Sequence, residues 1–303
     1  MKLIIAAGTG FLGQVLTHHL QSEFNDIVIL TRGKTKLKNN IRYIHWNAKT
    51  MTGWESELEH ADVLINLAGK SVDCRYNEEN KAEILASRID STRILNQAVL
   101  QCQNPPKHWL NSSTSTIYRH SEDKQMDEFN GEIGDDFSMN VAKSWEQTFF
   151  ETEIPNTRKT ALRTSIVLGK KGGAFLPIKN LTKLGFGGKQ GKGTQFISWI
   201  HEEDFARAVA FIVAKEITGV INLVSPTPIQ NKDFMKTLRT EMKIPFGTPI
   251  SKRMLEFGAN VIGTETELVL KSRNVIPKRL QENGFEFNYA DISKTFQNLL
   301  QKQ

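Results

Sequence analysis

A glycine-rich turn, Gly8-Thr9-Gly10-Phe11-Leu12-Gly13, constrains the fold of this 303-residue chain more than any other feature. The apolar run from Lys2 to Ala7 precedes it, and apolar residues at helical spacing follow it, so it joins a buried strand to an amphipathic helix. In this pattern the first glycine permits a tight turn, the second admits a pyrophosphate, and the third brings helix and strand together. The N–H groups that open the helix bind phosphates. The pattern predicts a dinucleotide-binding unit.

Short β-branched runs then alternate with helical patterns, which predicts parallel βαβ units. Helices are expected from Asn77, from about Asp136 to Glu151, and between Pro277 and Gly284. The predicted strands are Lys2–Ala7, Asp26–Leu30, Ile41–Trp46, Val63–Leu67, His108–Thr114, Thr160–Leu168 and Val220–Val224.

The predicted fold class is α/β, a doubly wound parallel-sheet Rossmann domain with a smaller, mainly helical C-terminal lobe. We expect the Rossmann domain to comprise residues 1–168 and 196–225, and the smaller substrate lobe residues 169–195 and 226–303. The glycine-rich stretch at 170–194 marks the crossing between them. The substrate is expected in the crevice beyond the carboxyl ends of the strands.

Composition narrows the classes of partner. The chain is 39% hydrophobic and 24% charged, as in an ordinary globular protein. Its net charge of +6 is spread along the chain without a basic and aromatic cluster, so we expect no nucleic-acid partner. No apolar run is long enough for a membrane span. Glycines interrupt the apolar N-terminus at once, which favours a strand over a signal peptide. Two cysteines without paired spacing predict a cytoplasmic protein with no metal site.

The residues that end the second strand predict the cofactor. An NAD site has a carboxylate here for the ribose 2′-hydroxyl, whereas this chain has Thr31-Arg32-Gly33-Lys34. A guanidinium binds a 2′-phosphate bidentately, so the sequence favours NADP(H), with Arg32 as the main contact and Lys34 or Lys36 in support. The alternative is a solvated basic loop.

Two further segments follow strands of the predicted sheet. Asn47 is placed to meet the adenine edge through its amide, or to form a turn. Leu67, Ala68 and Gly69 end the fourth strand with small residues, where the backbone would pass close to the cofactor.

Together these segments resemble the extended short-chain dehydrogenase/reductases, which include nucleotide-sugar epimerases and dehydratases. More closely, the chain resembles atypical "epimerase family" proteins that carry an added helical C-terminal domain of unknown function. The matching segments are Gly8–Gly13, Asn66–Gly69, Lys81 with Ser87-Arg88, Leu162-Arg163-Thr164, Val167-Leu168-Gly169, Phe196–His201 with Asp204, Asn231-Lys232, Ile276–Leu280 and Gly284-Phe285. The resemblance adds Arg163 and Thr164 to the expected cofactor contacts.

The chain departs from this family at two places. The family fingerprint opens with Thr-Gly, where this chain has Ala6-Ala7, and an alanine is expected to fit if its φ stays negative. The family's catalytic Tyr-x-x-x-Lys should lie in the helix after the fifth strand. Lys143 is present, but Met139 stands four residues before it, and neither this register nor its neighbour at Ser138 supplies a phenol.

The resemblance implies four catalytic residues. Ser113 and Thr114, at the end of the fifth strand, are candidates to orient a substrate oxygen or to form hydrogen bonds within the junction. Tyr118 aligns with the family's strand-five Tyr-Gly position, where it would shape the pocket or act as an acid. Lys143 would contact the nicotinamide ribose or lie exposed on its helix.

The family's motifs also imply a substrate pocket, although a solvated helical face would explain several of the same residues. His201 would either anchor its loop or act in acid–base chemistry, and Asp204 is expected to cap the helix that follows. The implied pocket residues are Arg75, Tyr76, Lys81, Arg88, Ser198, Trp199 and His201.

Two functions remain open from the sequence. The first is an NADP(H)-dependent oxidoreductase or epimerase-like enzyme that acts on a small polar carbonyl or sugar-derived substrate. The second is a catalytically weak or inactive NADP(H)-binding sensor or partner-binding module, which the missing tyrosine favours. The sequence leaves a homo-oligomer possible and names no substrate.

Overall fold

The computed structural model describes residues 1–256 and 265–301. The strands are β1 (Lys2–Ala6), β2 (Asp26–Thr31), β3 (Lys36–Lys38), β4 (Ile41–His45), β5 (Val63–Asn66), β6 (His108–Thr114), β7 (Arg158–Thr164), β8 (Ile166–Leu168), β9 (Phe196–Ile197), β10 (Trp199–His201), β11 (Gly219–Leu223) and β12 (Ile229–Gln230). The main sheet has the order β11-β7-β6-β5-β1-β2-β4-β3. All neighbours pair in parallel except β3, which is antiparallel to β4.

Helices cover both faces of this sheet. The α-helices among the described residues are α1 (Phe11–Leu20), α2 (Glu78–Gln101), α3 (Phe137–Phe150), α4 (Phe175–Leu181), α5 (Glu202–Ala214), α6 (Asn231–Glu241), α7 (Glu267–Leu270), α8 (Lys278–Glu282) and α9 (Ile292–Leu300). Helices α1 and α5 pack together over one core, which includes Leu16, Ile29 and Phe205. Helices α2 and α3 pack together over the other, which includes Leu95, Trp109 and Phe149.

This architecture confirms the predicted fold class. Asn77 caps α2 by accepting a hydrogen bond from the Asn80 N–H at 2.8 Å, and Asp136 caps α3 by accepting one from the Met139 N–H at 3.1 Å. Strand β3 was not predicted. Its three residues, Lys-Leu-Lys, are all exposed, and a run this short gives too little periodicity to predict a strand.

The predicted strand Thr160–Leu168 is divided in the structure. The Ser165 N–H donates to the Leu223 carbonyl at 3.2 Å, and the chain then leaves the main sheet. Strand β8 pairs with β10 instead, in a separate two-stranded sheet. An apolar run that is buried throughout gives no sign of such a break.

A third apolar core lies in the smaller lobe. It joins Leu168 and Trp199 to Phe175, Phe234 and Phe296, so the short strands β8 and β10 belong to this core rather than to the main sheet. The C-terminal segment also contributes to the core of the main sheet, since Leu280 and Phe285 pack into the core beneath α1 and α5. Among the described residues, no helix has the length and apolar character that crossing a membrane requires.

Candidate functional site

The glycine turn between β1 and α1 leaves room for a phosphate. A Cβ on Gly8 would lie 2.8 Å from Ile5 Cγ2, and one on Gly13 would lie 2.2 Å from the Gly8 carbonyl oxygen, so packing requires both glycines. A Cβ on Gly10 would meet no atom within 4 Å. Helix α1 begins without a side-chain cap and without an acidic residue in its first turn. Its free N–H groups, from Gly10 through Leu12, fit a pyrophosphate.

The backbone at Ala7 and the contacts of Phe11 and Thr9 fix the conformation of this turn. Ala7 has a φ of +58°, so the condition of a negative φ is not met, and the alanine adopts the left-handed conformation that favours glycine. Phe11 is covered by the loop after β8, because a Cβ on Gly169 or Gly172 would lie 2.3 or 2.4 Å from its ring. The Thr9 carbonyl accepts a hydrogen bond from Gln14 Nε2 at 2.9 Å.

The loop after β2 presents two cations to solvent. Thr31 is buried, and its hydroxyl accepts a hydrogen bond from the Gly33 N–H at 3.2 Å, which shapes the loop. Arg32 and Lys34 are exposed. Neither forms a hydrogen bond or an ion pair within residues 1–256 and 265–301, whereas Lys36 lies over the Tyr43 ring at 5.2 Å. The loop therefore has two cations available for an anion.

Asn47 forms a turn in this structure. Its carbonyl oxygen accepts the Lys49 and Thr50 N–H groups, each at 2.9 Å, and its amide donates to Thr50 Oγ1 at 2.7 Å. The turn alternative therefore accounts for its side-chain bonds, and the adenine contact stays a prediction.

The segment after β5 lies beside the glycine turn because β5 pairs with β1. The Leu67 N–H donates to the Ala6 carbonyl at 3.0 Å, and Ala68 is buried. Gly69 is exposed, and a Cβ there would lie 3.2 Å from Arg88 Cζ. This backbone passes the edge of the sheet where a bound dinucleotide would lie.

A buried network joins the carboxyl ends of β6 and β7 to α3. Glu146 accepts two hydrogen bonds from Arg163, at 2.8 and 2.7 Å, and one from Ser113 Oγ at 2.5 Å. Arg163 Nη1 donates to the Tyr118 hydroxyl at 2.8 Å, and that hydroxyl donates to Asn222 Oδ1 at 3.0 Å. Burial raises the pKa of Tyr118, which is 1% exposed. This network has the properties of a structural core.

The network includes three of the predicted site residues. Ser113, Tyr118 and Arg163 are buried and bonded to protein partners. These bonds fit the junction alternative for Ser113, and the predicted cofactor and substrate contacts of the three residues stay predictions. Thr114 differs because it is half-buried and its oxygen accepts the Thr116 N–H at 3.1 Å. Its hydroxyl proton has no acceptor in the described part of the chain. Thr164, also half-buried, donates to the Leu162 carbonyl at 3.3 Å.

Helix α3 carries the position of the missing tyrosine. Met139 occupies it and is buried against Gly134, where an added Cβ would lie 2.1 Å from the Met139 sulfur. Ser138 is half-buried, and its hydroxyl is near enough to Tyr76 to lower the pKa of that phenol, against the larger effect of burial. Lys143, also half-buried, pairs with the exposed Asp135 at 3.1 Å. That pair is at the surface and leaves the ammonium group free to change partners.

Four predicted pocket residues lie together around the start of α2. Arg75 pairs with Glu265 at 3.4 Å, and Lys81 lies 5.8 Å from the Phe137 ring. The Tyr76 ring packs edge-on against Phe137 with centroids 5.1 Å apart. Burial raises the pKa of Tyr76 to about 12. The fourth residue, Arg88, packs its guanidinium 5.0 Å from the Trp145 ring.

The other three predicted pocket residues belong to the packing of the C-terminal lobe. Ser198 accepts the Val275 N–H at 2.9 Å, and Trp199 is wholly buried. His201 caps α5 by accepting the Glu203 N–H at 3.0 Å, and its ring stacks on Tyr289 at 3.8 Å.

The predicted capping role of Asp204 is therefore wrong, since His201 takes it. Asp204 lies one turn into α5, and its buried carboxylate accepts the N–H groups of Asn288 at 3.0 Å and Tyr289 at 2.8 Å. The aspartate anchors the C-terminal segment to α5.

Sequence reasoning missed Glu146 and the Asn66–Asn111 pair. The amide of Asn66 donates to Asn111 Oδ1 at 2.8 Å, and its carbonyl oxygen accepts the Ala68 N–H at 3.0 Å. Glu146 could have been inferred, because a buried strand arginine such as Arg163 needs a carboxylate nearby. Neither asparagine has an equivalent signal in the sequence.

Fold and glycine turn together define a Rossmann-type dinucleotide-binding protein. A model of the "NAD dependent epimerase/dehydratase family" matches residues 3–140, and one of a domain of unknown function, DUF1731, matches residues 254–299. The chain is 33% identical to the epimerase family protein YfhF of Bacillus subtilis, over 99% of this chain and 98% of that relative. It is 30% identical to an epimerase family protein of Staphylococcus aureus, over 99% of each.

Solved structures agree with these relatives. The human epimerase family protein SDR39U1, crystallised with NADPH, is 26% identical with a TM-score of 0.85, over 99% of each chain. A nucleoside-diphosphate sugar epimerase from Corynebacterium glutamicum is 27% identical with a TM-score of 0.79, over 99% of this chain and 58% of that one. The chain belongs to the epimerase family, as an atypical extended short-chain dehydrogenase/reductase with the added C-terminal domain.

Proposed function

We propose that this protein binds NADP(H) and reduces or epimerises a small polar carbonyl or sugar-derived substrate. The observation that carries the cofactor assignment is the pair Arg32 and Lys34, exposed and without protein partners in the described ranges. They stand where an NAD site has a carboxylate. The NADPH in the human SDR39U1 crystal supports the same assignment.

The residues present fit that cofactor. The open space at Gly10 and the uncapped start of α1 suit the pyrophosphate, and Arg32 suits the 2′-phosphate. The backbone at Ala68 and Gly69 would border the nicotinamide half. When bound, the nicotinamide would supply or accept the hydride.

Two side chains of this protein would serve the substrate oxygen. Thr114 has a hydroxyl proton without an acceptor in the described ranges, so it would donate to a carbonyl oxygen and orient it. Tyr76 would supply the proton, because its ring packs on Phe137 in the first turn of α3, two residues before the Met139 that replaces the family tyrosine. A pKa of about 12 keeps the phenol protonated at neutral pH, which suits donation to a carbonyl during reduction.

The cofactor assignment is tested with Arg32→Asp. Replacing the guanidinium by a carboxylate should weaken NADPH binding by about 100-fold, since a charge-assisted bond contributes about 3 kcal/mol. NADH affinity should change little. The control is Lys38→Asp, because Lys38 is exposed and pairs with Ile41 at the amino end of β4, away from the site. Equal binding of NADH and NADPH by the unaltered protein, measured by calorimetry, would contradict the assignment.

The reaction is tested with a panel of carbonyl and sugar-derived metabolites, followed at the NADPH absorbance. With any substrate found, Tyr76→Phe should lower kcat by about 100-fold, the lower range for a general acid. NADPH affinity should stay unchanged in that variant. Tight NADPH binding without oxidation of any compound would favour the alternative, a cofactor-binding sensor.

A further inference from the structure

Arg88 on α2 is a largely buried guanidinium that has no carboxylate partner among the described residues. Its Nη1 donates to the Lys70 and Ile84 carbonyls, at 3.1 and 2.8 Å. Its plane packs against Trp145, and its Cζ would touch a Cβ on Gly69. Across residues 1–256 and 265–301, neither Nε nor Nη2 forms a hydrogen bond, and the group has no ion pair. Burial lowers the pKa of Arg88 to about 10.

This arrangement is incomplete as a structural ion site. Taking a cation out of water costs several kcal/mol unless a counter-charge or a full set of hydrogen bonds replaces the water. Two carbonyls supply part of that set at Nη1. The donors on the Nε–Nη2 edge have no acceptor among the described residues. The two parallel N–H groups of that edge match the two oxygens of a carboxylate.

A second, largely buried guanidinium interacts with the same phenol as Arg88. Arg273 is 14% exposed, its Nη1 is buried without a hydrogen-bond partner, and its Nη2 lies 3.7 Å from Glu267. The phenol of Tyr76 is close enough to interact electrostatically with both guanidinium groups. Arg88 therefore lies within electrostatic range of Tyr76, and it also lies against Gly69 on the cofactor edge of the sheet.

We propose that the Nε–Nη2 edge of Arg88 binds a carboxylate of the substrate. The substrate is then a carboxylic acid whose reacting carbonyl or hydroxyl lies between Tyr76 and the cofactor edge at Gly69. This inference rests on the proposed function for the reaction, but carboxylate binding itself can be measured without turnover.

The probe is malonate, with the neutral malonamide as its matched ligand, titrated by calorimetry at constant ionic strength. Protein saturated with NADPH is used so that the phosphate-binding turn is occupied, and the titration is repeated without NADPH. Malonate should bind saturably and malonamide should not. Arg88→Met should weaken malonate binding at least tenfold, and Arg88→Lys, which keeps the charge without the paired donors, should fall between.

The matched control is Arg93→Met. Arg93 lies on the same helix, is 57% exposed and pairs with Asp90 at 3.9 Å, so its loss should leave malonate binding unchanged. Equal malonate affinity in the Arg88→Met and Arg93→Met variants, or no saturable binding by the unaltered protein, would overturn the subsite. A tenfold loss of NADPH affinity in Arg88→Met would also overturn it, by assigning Arg88 to the cofactor. Failure of the unaltered protein to bind NADPH would instead refute the proposed function.

Discussion

Two regions on the carboxyl edge of the same sheet each carry an arginine, and the two arginines differ in every other respect. Arg32, just after β2, is exposed and has no partner in the described ranges. Arg163, near the end of β7, is buried, shares two hydrogen bonds with Glu146 and donates a third to Tyr118. Sequence reasoning assigned both to the cofactor.

The difference shows that the role of an arginine depends on whether its N–H donors already have acceptors within the protein. A guanidinium whose donors already have protein acceptors must break those bonds before it can bind a ligand. One without acceptors gains them on binding. By this criterion Arg163 stabilises the fold, whereas Arg32 and the half-bonded Arg88 are available for ligands.

Among the substitutions considered, Glu146→Gln should have the largest effect on stability, because Arg163 is bonded within the described part of the protein and Arg32 is not. It removes the charge that compensates Arg163 in a buried pair whose side chains are 11% and 10% exposed. The free energy of unfolding should fall by about 3–5 kcal/mol, as measured by denaturant titration.

Glu216→Gln is its matched control. It breaks the Glu216–Arg158 pair, which has a similar distance of 2.7 Å but side chains 58% and 41% exposed. An exposed pair should contribute at most about 1 kcal/mol. Equal losses in the two variants would show that burial does not distinguish the two arginines.

A buried histidine on the same strand as Ser113 predicts how the stability of the fold depends on pH. Burial lowers the pKa of His108 to about 4, and its Nε2 donates to Thr160 Oγ1 at 2.8 Å. The unfolded chain therefore takes up this proton at a higher pH than the folded protein. Stability contributed by neutral His108 is complete above about pH 6.5 and is lost as the pH falls towards 4, by roughly 3 kcal/mol.

His108→Gln should flatten the fall in unfolding free energy over that pH range. The same change at His18, which is exposed on α1, should leave the slope as it is. The pH slope is the quantity to compare, because the substitution itself changes stability. An unchanged slope in His108→Gln would show that His108 is not the group responsible.

The sequence predicted the fold well because the fold depends on local patterns. The glycine turn, the alternation of strands with helices and the helix starts at Asn77 and Asp136 each follow from residues that are close in the chain. The break at Ser165 and the edge strand β3 depend on partners elsewhere in the sheet, so neither has a local signal.

The site was only partly predictable for the same reason. Arg32 and Lys34 follow directly from the end of β2, and their contact with the cofactor stays a prediction. Ser113 and Thr114 are adjacent hydroxyls, and only the position of Glu146 on α3 determines which of them is already bonded. A local sequence pattern cannot distinguish these two adjacent hydroxyls, because the distinction depends on a residue of another helix.

These two hydroxyls therefore provide a sharper test of the comparison. Thr114→Val should lower kcat by about 100-fold on a substrate found in the metabolite panel, because it removes a donor to the substrate oxygen. Ser113→Ala should mainly lower the unfolding free energy, by about 1–3 kcal/mol, because Glu146 loses a buried donor. If instead Ser113→Ala lowered kcat more than Thr114→Val, the assignment of the two residues would be reversed.

Substitution of Ala7 should have the smallest effect on the free energy of unfolding. It tests whether the left-handed backbone at Ala7 destabilises the folded protein. A left-handed alanine costs about 1–2 kcal/mol, and glycine relieves this at an entropic cost of about 0.5–1 kcal/mol. Ala7→Gly should therefore raise the free energy of unfolding by about 0.5–1 kcal/mol. Ala68→Gly, on the neighbouring strand end, has no positive φ to relieve and should lower it. Both are measured by denaturant titration, and destabilisation by Ala7→Gly would mean that the alanine methyl contributes more through packing than its φ of +58° costs.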